Sequence, residues 1–371
     1  MEIHHRVLDL ALEIQQIPAP TFNEGQRAKF IEEGFLRESL NDVEIDKLGN
    51  VFGRLAGQGI SRPIIVTAHS DTVFPLDTDL TFTRSKDVIK GPGIGDNSLG
   101  VAGLFGLLWQ LSEHDLTLPG DLWLVANVCE EGLGDLKGIQ AVVDRFRDIP
   151  LAYVILEGMA LGQIYHRGLG VQRYRITARG PGGHSWVDYG KASAIHEIAS
   201  LVVSLCNLQL PEDPRTTLNV GKIKGGTSVN TIAAEASIEL DLRSTDQDAL
   251  KSLIQKVESI IRECDHSDMN FEAEIIGQRP AGEISKNHPL IKSAIDVLRS
   301  YRIKPTLNIG STDANIPLSR GFPAVCVGLT TGGGAHTINE YIHTEPLQAG
   351  LSQLSELVLS IFNQARLDGI S

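Results

Sequence analysis

Short apolar runs that end on an acidic or histidine residue recur along the first half of the chain. Pro63 to Ala68 leads into His69-Ser70-Asp71, Leu122 to Cys129 into Glu130-Glu131, and Tyr153 to Leu156 into Glu157. Runs this short and apolar read as strands buried on both faces of a parallel sheet. Amphipathic stretches lie around them. Thr21-Phe22-Asn23-Glu24 has the spacing of a capping box and opens a helix running to about Leu40. Strands are expected over 43–47 and 51–55. Gly91-Pro92-Gly93-Ile94-Gly95-Asp96 is a glycine-rich turn before a helix over 100–111, and a further helix near 138–146 precedes the strand ending at Glu157. The order β-α-β-α-β predicts a mostly parallel sheet with right-handed crossovers, an α/β fold flanked by helices.

The pattern changes near Gly168. Strand alternation covers 171–178, and a helical stretch follows over 192–208. Strands over 217–223 and 236–242, a helix over 246–264 and a strand over 270–276 complete a β-α-β-β-α-β order. This is the ferredoxin-like split unit, an α+β domain in its own right. From Ser285 the first pattern resumes, with a helix over 291–301, a strand over 324–329 and a closing helix over 345–365. At 371 residues the chain exceeds the size at which one core stops growing. The division expected is a first domain built from 1–167 and 279–371, interrupted by an inserted domain over 168–278.

Ligands bind at the carboxyl ends of strands in open α/β sheets, so the polar groups after each run converge on one crevice. A histidine among several carboxylates is metal-site chemistry, and the adjacent Glu130 and Glu131 offer one ligand and one base. His69 and Asp71 are two apart in an extended segment and point the same way, which lets Asp71 hold the imidazole from behind. His336 follows the strand near 324–329 through the glycine loop Thr330 to Ala335, which can aim it into the same crevice. Each residue has a bland reading: Asp96 as a helix cap, Glu130-Glu131 as a solvated turn, Glu157 as a helix-approach carboxylate, His336 as a surface histidine. Five such sites at strand ends or a strand–helix turn favour metal.

Composition narrows the alternatives. A formal charge of −13 argues against nucleic acid, which needs a basic patch. No apolar run approaches the roughly 20 residues that span a bilayer, so no membrane partner is expected. Met1 to His5 shows no secretory signal, and Cys129, Cys206, Cys264 and Cys326 are too scattered for a zinc ribbon or disulfide framework, so a cytoplasmic location is expected. The glycine turn before Asp96 lacks the third glycine of a dinucleotide fingerprint, and there is no phosphate loop or Gly-x-Ser-x-Gly elbow.

With Gly95-Asp96-Asn97, Gly183-His184, Ser228-Val229-Asn230 through Asp241-Leu242-Arg243, Gly310-Ser311-Thr312-Asp313-Ala314 and Gly334-Ala335-His336, the chain resembles a known family. This is the di-zinc metallopeptidase family of glutamate carboxypeptidase, aminoacylase, succinyl-diaminopimelate desuccinylase and tripeptide aminopeptidase. The resemblance spans nearly the whole chain. It implies a zinc-exopeptidase-like catalytic domain with an inserted ferredoxin-like lid and dimerisation domain. It implies two Zn2+ per subunit, with Co2+ or Mn2+ as substitutes: one held by His69 and Glu157, the other by Glu131 and His336, and Asp96 bridging them. Glu130 takes the part of general base and Asp71 orients His69.

The same resemblance implies a homodimer through the inserted domain, in which His184 reaches the neighbouring subunit's active site to stabilise the oxyanion. Asn230 and Arg243 match positions that contact substrate, Arg243 typically at a carboxylate. The family usually has a cis peptide after the residue matching Asp96. Here the next residue is Asn97, where many members carry a second acidic residue or a methionine. The implied reaction is metal-assisted hydrolysis of amide bonds in small peptides or N-acyl amino acids. A tripeptide-type aminopeptidase, anchored on the free amine, is the alternative among enzymes. A non-catalytic metal- or peptide-binding protein is disfavoured because every ligand position and the base are filled.

Overall fold

Four apolar runs, Leu122–Asn127, Ile64–His69, Ala152–Glu157 and Ala324–Gly328, lie side by side in that order and all parallel. They form the centre of a nine-stranded sheet. The computed structural model that shows this describes residues 2–114, 116–367 and 369. After Ile64–His69 the chain places one strand on its left and the next on its right, the order reversal at which α/β sheets form a crevice. The sheet is mixed, not wholly parallel. Asn41–Ile45 and Val51–Leu55 form an antiparallel hairpin at one edge, and Gln163–Gly168 runs antiparallel to Ala324–Gly328. Thr306–Gly310 pairs parallel with Gln163–Gly168.

Helices cover both faces of this sheet. Leu99–Glu113 is apolar almost all round and sits inside the larger core, packed by Ile3–Gln15 and Leu347–Leu367. A Cβ on Gly106 would meet Val7 Cγ2 at 2.7 Å and Leu351 Cδ2 at 2.8 Å, so only glycine lets these helices approach so closely. Lys137–Phe146 covers the opposite face through Ile139, Val142 and Val143.

Two local expectations are corrected. Thr21 to Glu24 does not open a helix. Phe22 takes φ 73° and the helix is Gly25–Arg37, because the two capping partners are engaged elsewhere: the Thr21 hydroxyl donates to Asp71, and the Glu24 carboxylate accepts the N–H groups of Phe22 and Cys129. The first edge strand is Asn41–Ile45, displaced two residues from its expected start.

Contacts divide the described chain into two units: one reaches Gly168 and resumes at Glu283, and the other is Leu169–Gly282. The second has a four-stranded antiparallel sheet in the order Thr216–Gly225, Glu235–Ser244, Gly170–Arg179, Asn270–Arg279. Helices Ala194–Cys206 and Gln247–Cys264 bury Ile198, Leu201, Leu253 and Val257 against one face. The other face is a ladder of ion pairs, with Arg175 on Glu239 and Glu274 and Arg179 on Glu235 and Glu272. Exposed pairs of this kind contribute little to stability and keep a sheet face wet. Among the described residues no helix is long and apolar enough to cross a membrane.

Candidate metal centre

Strand register brings the first groups together. His69 is level with Asn127, and Thr67 is level with Ile155, so the ends bearing His69 and Glu157 lie side by side. Asp96 enters from the turn Ile94–Ser98, where Asp96 (φ −119°, ψ 84°) and Asn97 (φ −137°, ψ 36°) leave helical geometry and the peptide between them is cis. His336 sits at φ 64° in the loop after Ala324–Gly328.

His69 Nε2 lies 3.1 Å from Asp96 Oδ1 and 3.8 Å from Glu157 Oε2. His336 Nε2 lies 3.2 Å from Asp96 Oδ2 and 3.0 Å from Glu131 Oε1. Three overlapping groups result: His69, Glu130 and Glu131; His69, Asp96 and Glu157; Asp96, Glu131 and His336. Within each, one potential ligand atom from every residue lies within 4.8 Å of the others. His69, Glu130 and Glu131 are buried, whereas the His336 side chain is half exposed.

The electrostatics are those of an anionic pocket. Burial opposes a charge on His69, but Asp71, Asp96, Glu157 and Glu130 outweigh it and hold the imidazole well above its usual range. Hydrogen bonds to Asp96 and Glu131 push His336 up to about 10. Burial pushes Glu157 well up, helped by the charges of Asp96, Glu130 and Asp313 and opposed by His69. Four carboxylates around two imidazoles make a cluster short of positive charge. Its oxygen and nitrogen donors suit Zn2+, Co2+ or Mn2+. The residues present therefore fit a metal.

Side chains that are not in these ligand sets tie the segments to one another. Asp71 accepts the N–H groups of Glu130 (3.0 Å) and Glu131 (2.9 Å) and the Thr21 hydroxyl (2.9 Å), so the His69 strand end carries the next one. Its Oδ1 also lies 3.5 Å from His69 Nδ1, although that nitrogen is nearer the Asp71 carbonyl, at 3.2 Å. Asn97 is fully buried; its amide donates to Leu156 O and accepts from Gly158 N–H, both at 2.8 Å, and so grips the chain on either side of Glu157. In the sequence Asn97 stands out only as a departure from the family pattern, and nothing marks Glu340, which accepts three N–H groups around Asp96. An amide or carboxylate in a glycine-rich stretch carries no mark of what it will bind.

Arg27 was equally hidden. Its guanidinium is buried and donates to Ile17 O (3.1 and 2.6 Å) and to Ser70 O (2.8 Å), between His69 and Asp71. Burial lowers it to about 10, while Asp71 and Glu24 favour its charge. Arg27→Met should destabilise the protein by about 3–5 kcal/mol, because it strands two carbonyls and removes the cation beside buried carboxylates. Denaturant unfolding measures this, and an unchanged midpoint would contradict it.

The inserted unit carries the remaining candidates. His184 is exposed and pairs with Thr231 in a short two-stranded antiparallel ladder, and Ser185 N–H donates to Asn230 O, so His184 and Asn230 are neighbours. Asn230 Oδ1 accepts the Ser228 hydroxyl at 2.8 Å. Arg243 lies on Glu235–Ser244, where its Nε donates to Asp241 Oδ2 at 2.6 Å, and Arg173 holds the other oxygen of that carboxylate.

The chain has relatives that share this architecture. It is 24% identical over 345 residues to the succinyl-diaminopimelate desuccinylase of Corynebacterium glutamicum, covering 91% of this chain and 92% of that one. The structure of a tripeptidase from Staphylococcus aureus superposes with a TM-score of 0.83 at 22% identity, over 97% of this chain and 99% of the other. That of the Bacillus subtilis YXEP protein, a dinuclear metal-binding peptidase, superposes with a TM-score of 0.72 at 16% identity, over 97% and 99%. The pattern of peptidase family M20/M25/M40 matches residues 65–360, from the first central strand to the closing helix. A match over that much of the chain decides the matter: the protein belongs to peptidase family M20/M25/M40 and is a metallopeptidase acting on peptide or amide bonds.

Proposed function

We propose that the protein is a di-zinc hydrolase of the carboxypeptidase or deacylase type, cleaving amide bonds of small peptides or N-acyl amino acids with Glu130 as general base. One observation carries this reading. Asp96 turns Oδ1 to His69 and Oδ2 to His336, at 3.1 and 3.2 Å. A carboxylate divided in this way between two donor sets is arranged to bridge two ions. His69 and Glu157 would hold one, and Glu131 and His336 the other. Divalent ions in such sites lower the pKa of water towards neutrality and polarise a carbonyl. Glu130, buried and with its N–H held by Asp71, would accept a proton from water and return it to the leaving amine.

His184 completes the reading, in a homodimer joined through the inserted unit where it serves the partner's centre. Its Nδ1 accepts the N–H groups of Trp186 and Val187 at 3.2 and 3.4 Å. The neutral ring then carries its proton on Nε2, the donor an oxyanion needs. His184→Ala should lower turnover about 10²–10³-fold without loss of metal. Mixing it with Glu130→Gln subunits should restore part of the activity, since each heterodimer holds one complete site. No recovery after confirmed subunit exchange would confine His184 to its own chain or remove its role.

The substrate class is tested by turnover of zinc-loaded protein on N-acyl amino acids and short peptides with free or blocked termini. Hydrolysis that needs a free carboxylate supports the proposal, with Arg243 and Asn230 as its contacts. A requirement for a free amine gives the tripeptide-type aminopeptidase instead, and bound metal without turnover gives a binding protein.

A further inference from the structure

Glu340 is fully buried, yet it serves neither as ligand nor as base in the reading above. Its Oε1 accepts the N–H groups of Gly95 (2.6 Å) and Asp96 (2.8 Å), and its Oε2 that of Gly93 (2.9 Å). Its carbonyl accepts Gly91 N–H at 3.0 Å. All of these donors belong to the turn that presents Asp96. Because Asp96 and Asn97 depart from helical geometry, the turn is not closed by a regular helical ladder, and N–H groups there need acceptors from elsewhere. The turn has no slack either: a Cβ on Gly95 would meet Met159 Cγ at 2.6 Å and Ile342 Cγ2 at 2.9 Å.

Glu340 also ends the loop that carries His336. Within that loop Thr337 Oγ1 donates to Gly334 O at 2.7 Å, and Glu340 N–H donates to Thr337 O at 3.1 Å. Beyond it, Tyr341–His343 pairs with Val88–Lys90, just before the Asp96 turn. A buried carboxylate is costly unless its oxygens are hydrogen-bonded, and all three side-chain bonds of Glu340 go to N–H groups of the Asp96 turn. Those bonds give it a geometric task.

We propose that Glu340 is a positioning residue of the metal centre, joining the Asp96 turn and the His336 loop into one piece and so setting the affinity for the ion between Asp96, Glu131 and His336. This rests on the reading of Asp96 and His336 as ligands. Neither Glu340 oxygen faces an ion in this account. The carboxylate acts through the main chain, where it fixes how far Asp96 Oδ2 stands from His336 Nε2.

The test is Zn2+ titration of the metal-free full-length protein against a chromophoric chelator, for wild type, Glu340→Ala, Glu340→Gln and His336→Ala. Glu340→Ala should weaken one of the two ions by about 10–100-fold, the usual effect of removing a partner behind a ligand. Its kcat should recover at excess Zn2+. Glu340→Gln keeps an acceptor for Gly95 and Asp96 but turns an NH2 group to Gly93 N–H, so its affinity should lie between. It also covers the case in which the alanine variant does not fold. A purely structural role would lower the melting temperature of the metal-free form and leave Zn2+ affinity unchanged in both variants, which would overturn the inference. His336→Ala separates the two levels. If it loses an ion while the Glu340 variants bind normally, only the positioning role fails; if it binds two ions normally, the ligand reading itself is wrong.

Discussion

Glu130→Gln protein should keep both of its metal ions and lose turnover by at least about 10²–10⁴-fold, the range that a single general acid–base group contributes. The upper end is the expectation, because in the proposed mechanism the same carboxylate would serve twice, accepting a proton from water and delivering it to the amine. The substitution is nearly isosteric. The residue's N–H remains on Asp71 Oδ1, and the neighbouring Glu131 keeps its own N–H on Asp71 Oδ2, so the ligand segment is undisturbed. Metal analysis with steady-state kinetics on the same sample decides it. Near-normal kcat in a fully metallated Glu130→Gln protein would assign the base elsewhere.

Asp96→Ala should give the opposite pattern, with metal lost first and activity as a consequence. Asp96 turns one oxygen to each imidazole, so its removal takes a donor from each set. Wild type should carry two ions per chain after dialysis, and the variant clearly fewer. Turnover should fall about 10³-fold or more, since a Lewis-acid ion contributes several kcal/mol and each 1.4 kcal/mol is tenfold. Retention of two ions with unchanged turnover would remove Asp96 from the centre. Together the two variants separate chemistry from assembly.

What the sequence makes readable follows from which physical signals are local. The strands ending at His69, Asn127 and Glu157 are largely apolar runs that close on polar residues, and position alone places those residues at the carboxyl edge of a sheet. The β-α-β-β-α-β order of the inserted unit is likewise written in alternation and helical spacing. Other elements have weaker signals. The helix Ile3–Gln15 is hard to read because its buried face, with Val7, Leu8, Ala11 and Ile14, is set among charged residues. Thr21 to Glu24 matches a capping box letter for letter, but a tertiary acceptor role for Glu24 overrides the local motif.

At the centre itself, side chains that face the crevice were recognisable by type and place, whereas those that grip the backbone were not. Asn97 and Glu340 act on peptide groups 59 to 247 residues away, and nothing in a window of neighbours encodes such a partner.

Those separations also order events during synthesis. Glu340 reaches back 245 residues to Gly95, and His336 reaches back 205 to Glu131. At about 5–20 residues per second, His336 leaves the ribosome on the order of ten seconds after Glu157. Through that interval the nascent chain already exposes Glu130 and most of the carboxylates, but lacks the loop that closes the cluster. A chain stalled before residue 336 would therefore carry Glu130, the proposed base, without a complete set of the proposed ligands. On the proposed reading, the cluster of His69, Asp96, Glu131, Glu157 and His336 can close only once that loop has been made.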